Sequence, residues 1–226
     1  MNAPAAAALE SPWAMIRTLG VVATLCGVII VAAYQWTLAP IAANRRIVIE
    51  RAVFKVIPSA HRIEPFIALP NGTIQPAGEA LPQGAIRFYA AYGSGGALAG
   101  IAAEGAAKGY ADTVRILFGY VPGCACITGI AVVSMRETPG IGTRILTDRE
   151  FLSNFQALDV RLNRELSGLA NAVQTVKHGT KTRPWEIDAI AGATVTSRAV
   201  GRAIDAGAQR LLPRLAPHLE ELARRP

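Results

Sequence analysis

A short stretch near the C-terminal end of the chain, DAIAGATVTSRAV, brings three hydroxyl side chains close together, those of Thr194, Thr196 and Ser197. They follow a bare turn made by Gly192 and Ala193, and an apolar helical pattern begins directly after them. A hydroxyl at the start of a helix can cap its free backbone N–H groups. The same place attracts phosphate, because those N–H groups and the positive end of the helix dipole favour an anion. Read alone, the stretch predicts a helix start with Thr194, Thr196 or Ser197 as its cap.

A second stretch, ETPGIGTR over residues 137–144, combines an acid, a proline and two glycines. Pro139 fixes the backbone of a turn, and Gly140 and Gly142 let the chain approach a bound group closely. Read alone, these glycines are ordinary turn formers. A third stretch, GYADTVRILFGY, reads alone as a strand of the core.

Common catalytic patterns are absent from the sequence. GSGGALAG lacks the Gly-Lys-Ser/Thr of a phosphate loop, and YGSGG does not form a G-x-S-x-G nucleophile elbow. A strand, a G-x-G-x-x-G turn and a helix do not follow one another as they do in a dinucleotide-binding domain. These absences argue against a hydrolase or a nicotinamide-binding domain, and we assign no catalytic residue.

The cysteines are too few for a disulfide framework, since there are three in the chain. Cys26 lies in an apolar run, Cys124 and Cys126 form a lone C-x-C, and the three histidines are far apart. A zinc or iron–sulfur site needs more ligands than this, so we expect no metal. An oxidised C-x-C pair fits a periplasmic domain, but the sequence leaves its redox state open.

An uncharged run from Thr18 to Asn44 is long enough to cross a membrane, which takes roughly 20 residues. Tyr34 and Trp36 near its end suit an aromatic anchor at the interface. The run is too long for the core of a signal peptide, and its length and terminal position disfavour a buried helix. We therefore expect one uncleaved span. Counting basic residues on its two sides would leave the large domain in the cytoplasm, but long domains translocate despite their charge.

Scattered basic residues carry the net charge of +7, and they form no Lys/Arg run among aromatic side chains. This distribution argues against nucleic acid as a partner and favours acidic proteins or lipid headgroups. Hydrophobic residues make up 51% of the chain, and the uncharged run explains much of that share.

The remaining periodicity predicts an α+β fold, with an antiparallel sheet and flanking helices after a single N-terminal transmembrane helix. RRIVIERAVFKVIPSA is helical up to Pro58, and DREFLSNFQALDVRL and SRAVGRAIDAGAQRLL are amphipathic helices. GYADTVRILFGY is expected to pair with ACITGIAVVSM as a hairpin, and to be half-buried because apolar residues alternate with Arg115 and Leu117. The expected parts are a tail over 1–17, a membrane anchor over 18–44, a helical and irregular connection over 45–84, one folded domain over 85–212 and a C-terminal tail over 213–226.

In combination and in this order, the three stretches resemble the FMN-binding domain of the G subunit of the Rnf electron-transport complex. The C subunit of the sodium-pumping NADH:quinone reductase is a relative of that subunit. In the family an E-T-P-G-[LI]-G loop precedes D-x-x-[ST]-G-A-[TS], whose last residue carries FMN through a phosphoester bond. The resemblance runs from the span to about Leu212 and puts the flavin on Thr194. One position departs, because Ala191 stands where the family usually has Ser or Thr.

The resemblance also implies how the flavin is attached. A threonine hydroxyl is a poor nucleophile until it is activated, and the family uses a separate flavin transferase that takes FMN from FAD. Gly192 and Ala193 keep the neighbourhood of Thr194 bare for this enzyme, and Thr196 and Ser197 are expected to donate hydrogen bonds to the phosphate.

The resemblance implies, in addition, a set of residues near the isoalloxazine ring, with a threonine hydroxyl donating to its polar edge. These residues are Glu137, Thr138, Gly140 and Gly142, Thr138 being the donor. Tyr110 and Trp185 are further candidates for ring neighbours, with core packing as the alternative for each.

The function implied by the resemblance is that of an electron-carrier subunit of a membrane-bound, ion-translocating complex. It relays electrons between ferredoxin-linked and NAD-linked carriers, without catalysis of its own, beside other membrane subunits. The chain would cross the bacterial inner membrane once and hold its domain in the periplasm. Two alternatives stay open: a membrane-anchored FMN reductase with its own substrate, and a flavin-free assembly subunit. The short chain and the ETPGIG spelling favour the Rnf subunit over its sodium-pump relative.

Overall fold

The computed structural model describes residues 12–78 and 80–224. Its first helix, α1, runs without interruption over Pro12–Val56 and is long and apolar enough to cross a membrane, by length and composition. The expected anchor lies inside this helix, and the helix predicted after the anchor is its continuation. The expected tail over 1–17 lies outside the described residues up to residue 11, and from Pro12 onward it belongs to α1.

An antiparallel sheet of seven strands forms the centre of the folded domain, in the order β2-β1-β3-β4-β5-β6-β7. The strands are β1 (Arg62–Ala68), β2 (Ile74–Pro76), β3 (Ile86–Tyr92), β4 (Leu98–Lys108), β5 (Thr113–Val121), β6 (Cys126–Ser134) and β7 (Leu158–Asp159). The described residues also form a parallel pair, β8 (Gln174–Val176) and β9 (Glu186–Asp188), and the α-helices α2 (Arg149–Ser153), α3 (Thr194–Leu215) and α4 (Leu219–Ala223). The predicted α+β class and the predicted β5–β6 hairpin are confirmed.

Both faces of the sheet are covered, which the alternation in β5 did not indicate. On one face Ile116 and Phe118 belong to a core that includes Ala203 and Ile204 of α3. On the other face Leu117 packs in a second cluster with the last turns of α1. Leu117 is therefore completely buried, and the prediction of a half-buried strand was wrong because it took no account of a cover from α1.

The boundaries of the folded domain differ from the expected ones at both ends. The chain divides into two compact units, of which the second begins at Val48. The segment expected as a connection supplies β1 and β2 to the sheet, since Phe66 and Ile67 find buried places there. At the other end Leu215 and Leu222 are buried, so residues after Leu212 pack on the core rather than trail from it.

The amphipathic helix expected from DREFLSNFQALDVRL is much shorter in the structure, where α2 ends at Ser153. The amide of Asn154 donates to the carbonyl oxygens of Glu150 and Phe151, at 3.3 and 2.9 Å, and so satisfies the acceptors of the last turn. The chain then bends, and Leu158 enters β7. The backbone N–H groups of Asn154 and Phe155 donate to Phe151 and Leu152, three residues back instead of four, and this tightened turn ends the helix.

Two glycines that pair across β5 and β6, Gly119 and Gly129, let the end of α1 approach the sheet. A Cβ atom added at Gly119 would lie 2.8 Å from the carbonyl oxygen of Val56, closer than real contacts allow. The hydroxyl of Thr128 donates to the same oxygen at 3.3 Å. The close approach of backbone to backbone thus fixes how α1 covers this face.

We expect Gly119→Ala to lower the free energy of unfolding by about 1–3 kcal/mol, the usual cost of forcing extra atoms into a packed core. The measurement is chemical unfolding of the full chain in detergent. Gly123→Ala is the matched control, because a Cβ there meets nothing within 4 Å. Equal stability of the two variants would contradict the close packing of α1 on the sheet.

Candidate functional site

Three separate segments meet at the buried carboxylate of Glu137. Its Oε2 accepts a hydrogen bond from the hydroxyl of Thr196 at 2.7 Å and from the backbone N–H of Tyr110 at 3.3 Å. Its Oε1 accepts from the backbone N–H groups of Ala111 and Asp112, at 3.2 and 3.4 Å. The carboxylate thereby joins the ETPGIGTR loop, the turn between β4 and β5, and the first turn of α3.

The hydrogen bonds decide the charge of this carboxyl group. Burial by itself would raise the pKa of Glu137, but the bonds from Thr196 and from the three backbone N–H groups outweigh it, and the pKa is lowered. Glu137 is therefore ionised at neutral pH although it is buried. Both of its oxygens are occupied inside the protein, and its proximity to an isoalloxazine ring stays a prediction.

Gly142 allows the loop to close around this carboxylate. A Cβ atom added there would lie 2.7 Å from the Cβ of Glu137 and 3.1 Å from the hydroxyl oxygen of Thr196, so a larger residue would push them apart. Thr138 and Gly140 lie at the exposed edge of the same loop. The carbonyl oxygen of Thr138 accepts from the N–H groups of Ile141 and Gly142, at 3.2 and 3.0 Å.

The hydroxyls of Thr196 and Ser197 point into the protein, with 2% and 0% of these residues exposed. The hydroxyl of Thr196 donates its hydrogen bond to Glu137, and that of Ser197 donates to the carbonyl oxygen of Ala193 at 3.0 Å while accepting from the N–H of Ile190 at 3.1 Å. A hydroxyl has one proton to donate. The expected hydrogen bonds from these two residues to a phosphate are therefore not available in this arrangement, in which both hydroxyls organise the turn instead.

Thr194 is the first residue of α3 and remains partly exposed. The residue before it, Ala193, is buried and offers no side-chain cap to the helix, whose first backbone N–H groups have no partner within the helix. Gly192 is exposed and has a φ of +82°, a conformation that glycine adopts without strain. Of the three hydroxyl-bearing residues in this stretch, Thr194 is the one that stays partly exposed, at an uncapped helix start.

The side chain of Arg144 joins the two loops of the site. Its Nη1 donates to the carbonyl oxygen of Ala191 and its Nη2 to the carboxylate of Asp148, each at 3.0 Å. Sequence reasoning did not single out this residue. Its one signal there is its position at the end of the ETPGIGTR stretch.

Asp188, the acid that begins the DAIAGAT stretch, is held by hydrogen bonds to Gly179 and Asn154. Its two carboxylate oxygens accept from the N–H of Gly179 at 2.8 and 2.9 Å, and its N–H donates to Asn154 at 3.0 Å. The same amide oxygen of Asn154 accepts from Lys181 at 3.0 Å. Asn154 was also missed from the sequence, because nothing near it in the chain indicates this role.

The two aromatic candidates differ in their surroundings. Tyr110 is 71% exposed, so core packing is the wrong explanation for it. Trp185 is half-buried, with the guanidinium of Arg183 at 5.3 Å from its ring centre. At the opposite end of β5 from Tyr110, a disulfide joins Cys124 and Cys126 in the turn of the β5–β6 hairpin.

Glu137→Gln tests the role of the buried charge. A lowered pKa in the folded protein means that the ionised group stabilises the fold above the ordinary glutamate pKa of about 4.3, and that this stabilisation is lost as the pH falls through the folded value. We expect the variant to lose about 1–3 kcal/mol of unfolding free energy at neutral pH, with the difference shrinking in acid. Denaturant unfolding across the pH range measures it, with the exposed Glu165→Gln as control. A difference that does not depend on pH would contradict the assignment.

Comparison with known proteins connects this site to a family. The model of the FMN-binding domain matches residues 109–209. The G subunit of the ion-translocating oxidoreductase complex of Pseudomonas aeruginosa (strain UCBPP-PA14) is 36% identical over 132 residues, covering 55% of this chain and 56% of the relative. The G subunit of the Na⁺-translocating ferredoxin:NAD⁺ oxidoreductase complex of Acetobacterium woodii is 30% identical over 128 residues, covering 57% and 56%. The chain spans about half the length of the curated relatives that it matches.

Solved structures give the same fold. NqrC of Shewanella oneidensis matches with a TM-score of 0.59 at 18% identity, over 80% of this chain and 98% of that one. The C subunit of the Na⁺-translocating NADH-quinone reductase of Parabacteroides distasonis matches with a TM-score of 0.58 at 17% identity, over 84% and 98%. The matched range contains the turn, the loop and the helix start that meet at Glu137. Residues 109–209 of the chain therefore match the FMN-binding-domain family, and the chain is similar in sequence to the G subunits of ion-translocating oxidoreductase complexes.

Proposed function

We propose that this chain is an electron-carrier subunit of a membrane-bound, ion-translocating oxidoreductase complex, and that it carries FMN through a phosphoester bond to Thr194. The observation that carries the proposal is the position of Thr194, a partly exposed residue with a hydroxyl at the uncapped start of α3, inside the region that matches the FMN-binding domain. Bound FMN supplies the redox chemistry, while the protein holds it and sets its surroundings.

The helix start fits a phosphate group. The first N–H groups of α3 lack partners within the helix, and the positive end of the helix dipole lies at the same place. A Cβ atom added at Gly192 would meet nothing within 4 Å, so the approach to Thr194 is open on that side. The guanidinium of Arg144, paired with the Asp148 carboxylate, holds the Ala191 carbonyl beside this helix start. These groups suit one phosphoester and compensate for the two buried hydroxyls.

Thr194 needs help to become a nucleophile. In the part of the chain that the structure describes, its hydroxyl has no hydrogen bond to a basic side chain. A separate flavin transferase therefore has to supply the base. The bond from the Thr194 oxygen to the phosphorus of the FMN moiety forms, the pyrophosphate bond of FAD breaks, AMP leaves, and the hydroxyl proton goes to the transferase.

The disulfide supports a periplasmic position for the folded domain. Bonds of this kind persist in oxidising compartments and are rare in the cytoplasm. A covalent link to the flavin serves the same location, because a dissociated flavin would be lost there. The helix α1 would anchor the domain in the inner membrane, since its residues up to Val48 are exposed in the structure and strongly apolar over the anchor.

Partners follow from the relatives, which are named as subunits of multi-subunit complexes. We propose other membrane subunits of such a complex as neighbours, with electrons passing between ferredoxin-linked and NAD-linked carriers. An FMN reductase with its own substrate is the less favoured function, because Glu137, the buried acid of the site, is ionised and has no proton to give.

Thr194→Val tests the attachment. We expect the full chain, co-expressed with a flavin transferase, to be heavier by FMN less one water and to fluoresce in a denaturing gel, whereas Thr194→Val shows neither. Thr194→Ser is the matched control and keeps the modification, because it keeps a hydroxyl at the helix start. Fluorescence that persists in Thr194→Val would move the bond elsewhere. An unmodified wild type, with a known acceptor modified in the same cells, would leave the turn as a helix start only.

Thiol labelling tests the orientation and the disulfide together. In a Cys26→Ala background, we expect a membrane-impermeant maleimide to label intact spheroplasts only after treatment with an impermeant reductant. A further variant, Cys124→Ser with Cys126→Ser, shows the background signal. Labelling without reduction would contradict the disulfide. Labelling that requires permeabilised cells would place the domain in the cytoplasm.

A further inference from the structure

The four residues that directly precede α3, from Ile190 to Ala193, form a tight turn. The N–H of Ala193 donates to the carbonyl oxygen of Ile190 at 3.0 Å and closes it, with Ala191 and Gly192 in the middle. The φ of +82° at Gly192 is that of the third residue of a type II turn. Type I and type II turns differ in the direction of the peptide that joins the two middle residues. The Ala191 carbonyl therefore reports which turn is present.

Arg144 holds this carbonyl. Its Nη1 donates to the Ala191 oxygen at 3.0 Å, across 47 positions of the chain. Ala191 has no polar side chain, so its backbone is the part of the residue that can be held by hydrogen bonds. Because the C=O and N–H of one planar peptide point in opposite directions, fixing the carbonyl on Arg144 also turns the Gly192 N–H away from that side chain.

The guanidinium of Arg144 is held in turn by the carboxylate of Asp148. Its Nη2 donates to Asp148 Oδ2 at 3.0 Å, and the other oxygen of that carboxylate accepts from the N–H of Phe151 at 3.1 Å, at the start of α2. The Phe151 bond, with Arg144 as a further contributor, lowers the pKa of Asp148. The carboxylate is thus charged and oriented at neutral pH. By binding Nη2 of Arg144, it orients Nη1 toward the Ala191 carbonyl of the turn.

We propose that Arg144 is a positioning residue for flavin attachment: it keeps the Ile190–Ala193 turn in the conformation that presents Thr194 to the transferase. This inference rests on the proposed attachment at Thr194. Arg144 does not donate to Thr194 itself, and its effect passes through the backbone of the turn. Without it the turn exchanges between peptide orientations, and the fraction of chains ready for modification falls.

A population effect of this kind has a kinetic signature. If a fraction of the acceptor is competent, the apparent affinity of the transferase falls in proportion to that fraction, whereas the rate at saturation is retained. We expect Arg144→Gln to raise the apparent KM for the acceptor protein at least about tenfold, with kcat changed much less. A loss of chemistry at the reacting atoms would instead lower kcat.

Three variants separate position from charge. Arg144→Gln removes the charge and the two-branched donor, and Arg144→Lys keeps the charge but loses the fork that binds Ala191 and Asp148 together. Arg198→Gln is the matched control, because Arg198 is exposed one helical turn after Thr194 and makes no hydrogen bond or ion pair within residues 12–78 and 80–224. We expect both Arg144 variants to be poor acceptors, and Arg198→Gln to stay within about twofold of wild type.

The experiment uses the full chain in detergent, made without flavin, then incubated with purified transferase and FAD and followed by intact mass. In the same unmodified proteins, amide hydrogen exchange over residues 190–193 reads the turn directly, and thermal unfolding checks the fold. Faster exchange in both Arg144 variants, with an unchanged unfolding temperature, is the expected result. If Arg144→Gln unfolds early, Arg144→Lys carries the test.

Two outcomes would overturn the inference and leave the proposed function standing. One is a wild-type KM in Arg144→Lys, and the other is a KM in Arg198→Gln raised as much as in Arg144→Gln. Either result would mean that positive charge near the turn, without the forked donor of Arg144, is enough for efficient modification. Unchanged exchange over the turn in Arg144→Gln would also overturn it. A wild type that is never modified, beside a control acceptor that is, would instead remove the proposed attachment itself, and the inference with it.

Discussion

The ionised carboxylate of Glu137 is the interaction on which the rest of the site depends. A buried charge is costly unless its hydrogen bonds are made, and here four donors from two other segments make them. Those donors are three backbone N–H groups of the β4–β5 turn and the hydroxyl of Thr196 in α3. Moving any of the three segments would leave acceptors or donors unsatisfied, so the loop, the turn and the helix start hold their relative positions together.

The three hydroxyl-bearing residues at the start of α3 have different surroundings. Successive residues of an α-helix are rotated by about 100°, so Thr194, Thr196 and Ser197 cannot all face the same way. Two of them turn inward, where Thr196 satisfies Glu137 and Ser197 ties Ile190 to Ala193. Thr194 is the one of the three residues that stays partly exposed. The inward pair thus organises the turn and the first residues of α3, where the proposed attachment residue Thr194 lies.

The sheet keeps the two unusual chemical features of the domain apart. The turn that donates to Glu137 precedes β5, and the Cys124–Cys126 disulfide follows it, so the nine residues of the strand separate them. At roughly 3.3 Å per residue this is close to 30 Å. The disulfide therefore lies in a hairpin turn far from the start of α3, where a partly exposed Thr194, helix N–H groups without side-chain caps and the guanidinium of Arg144 come together.

The sequence by itself determined the features that depend on local pattern. The uncharged run predicts the anchor, and alternation with Pro/Gly turns predicts the β5–β6 hairpin. Helical periodicity also found the residues of α1 that cover the sheet, although not what they cover. These are properties of neighbours in the chain, and short-range geometry is enough to predict them.

Tertiary structure alone decided which polar groups are free. Thr196 meets Glu137 across 59 positions, and Arg144 meets Ala191 across 47, distances over which no periodicity extends. Likewise Leu117 is buried because the last turns of α1 cover the face of the sheet that the alternation in β5 predicted to be exposed. A hydroxyl or a guanidinium looks the same in the sequence whether its hydrogen bonds are made or not. Which of them are made depends on segments that the fold brings together, and so that part of the site had to be seen in three dimensions.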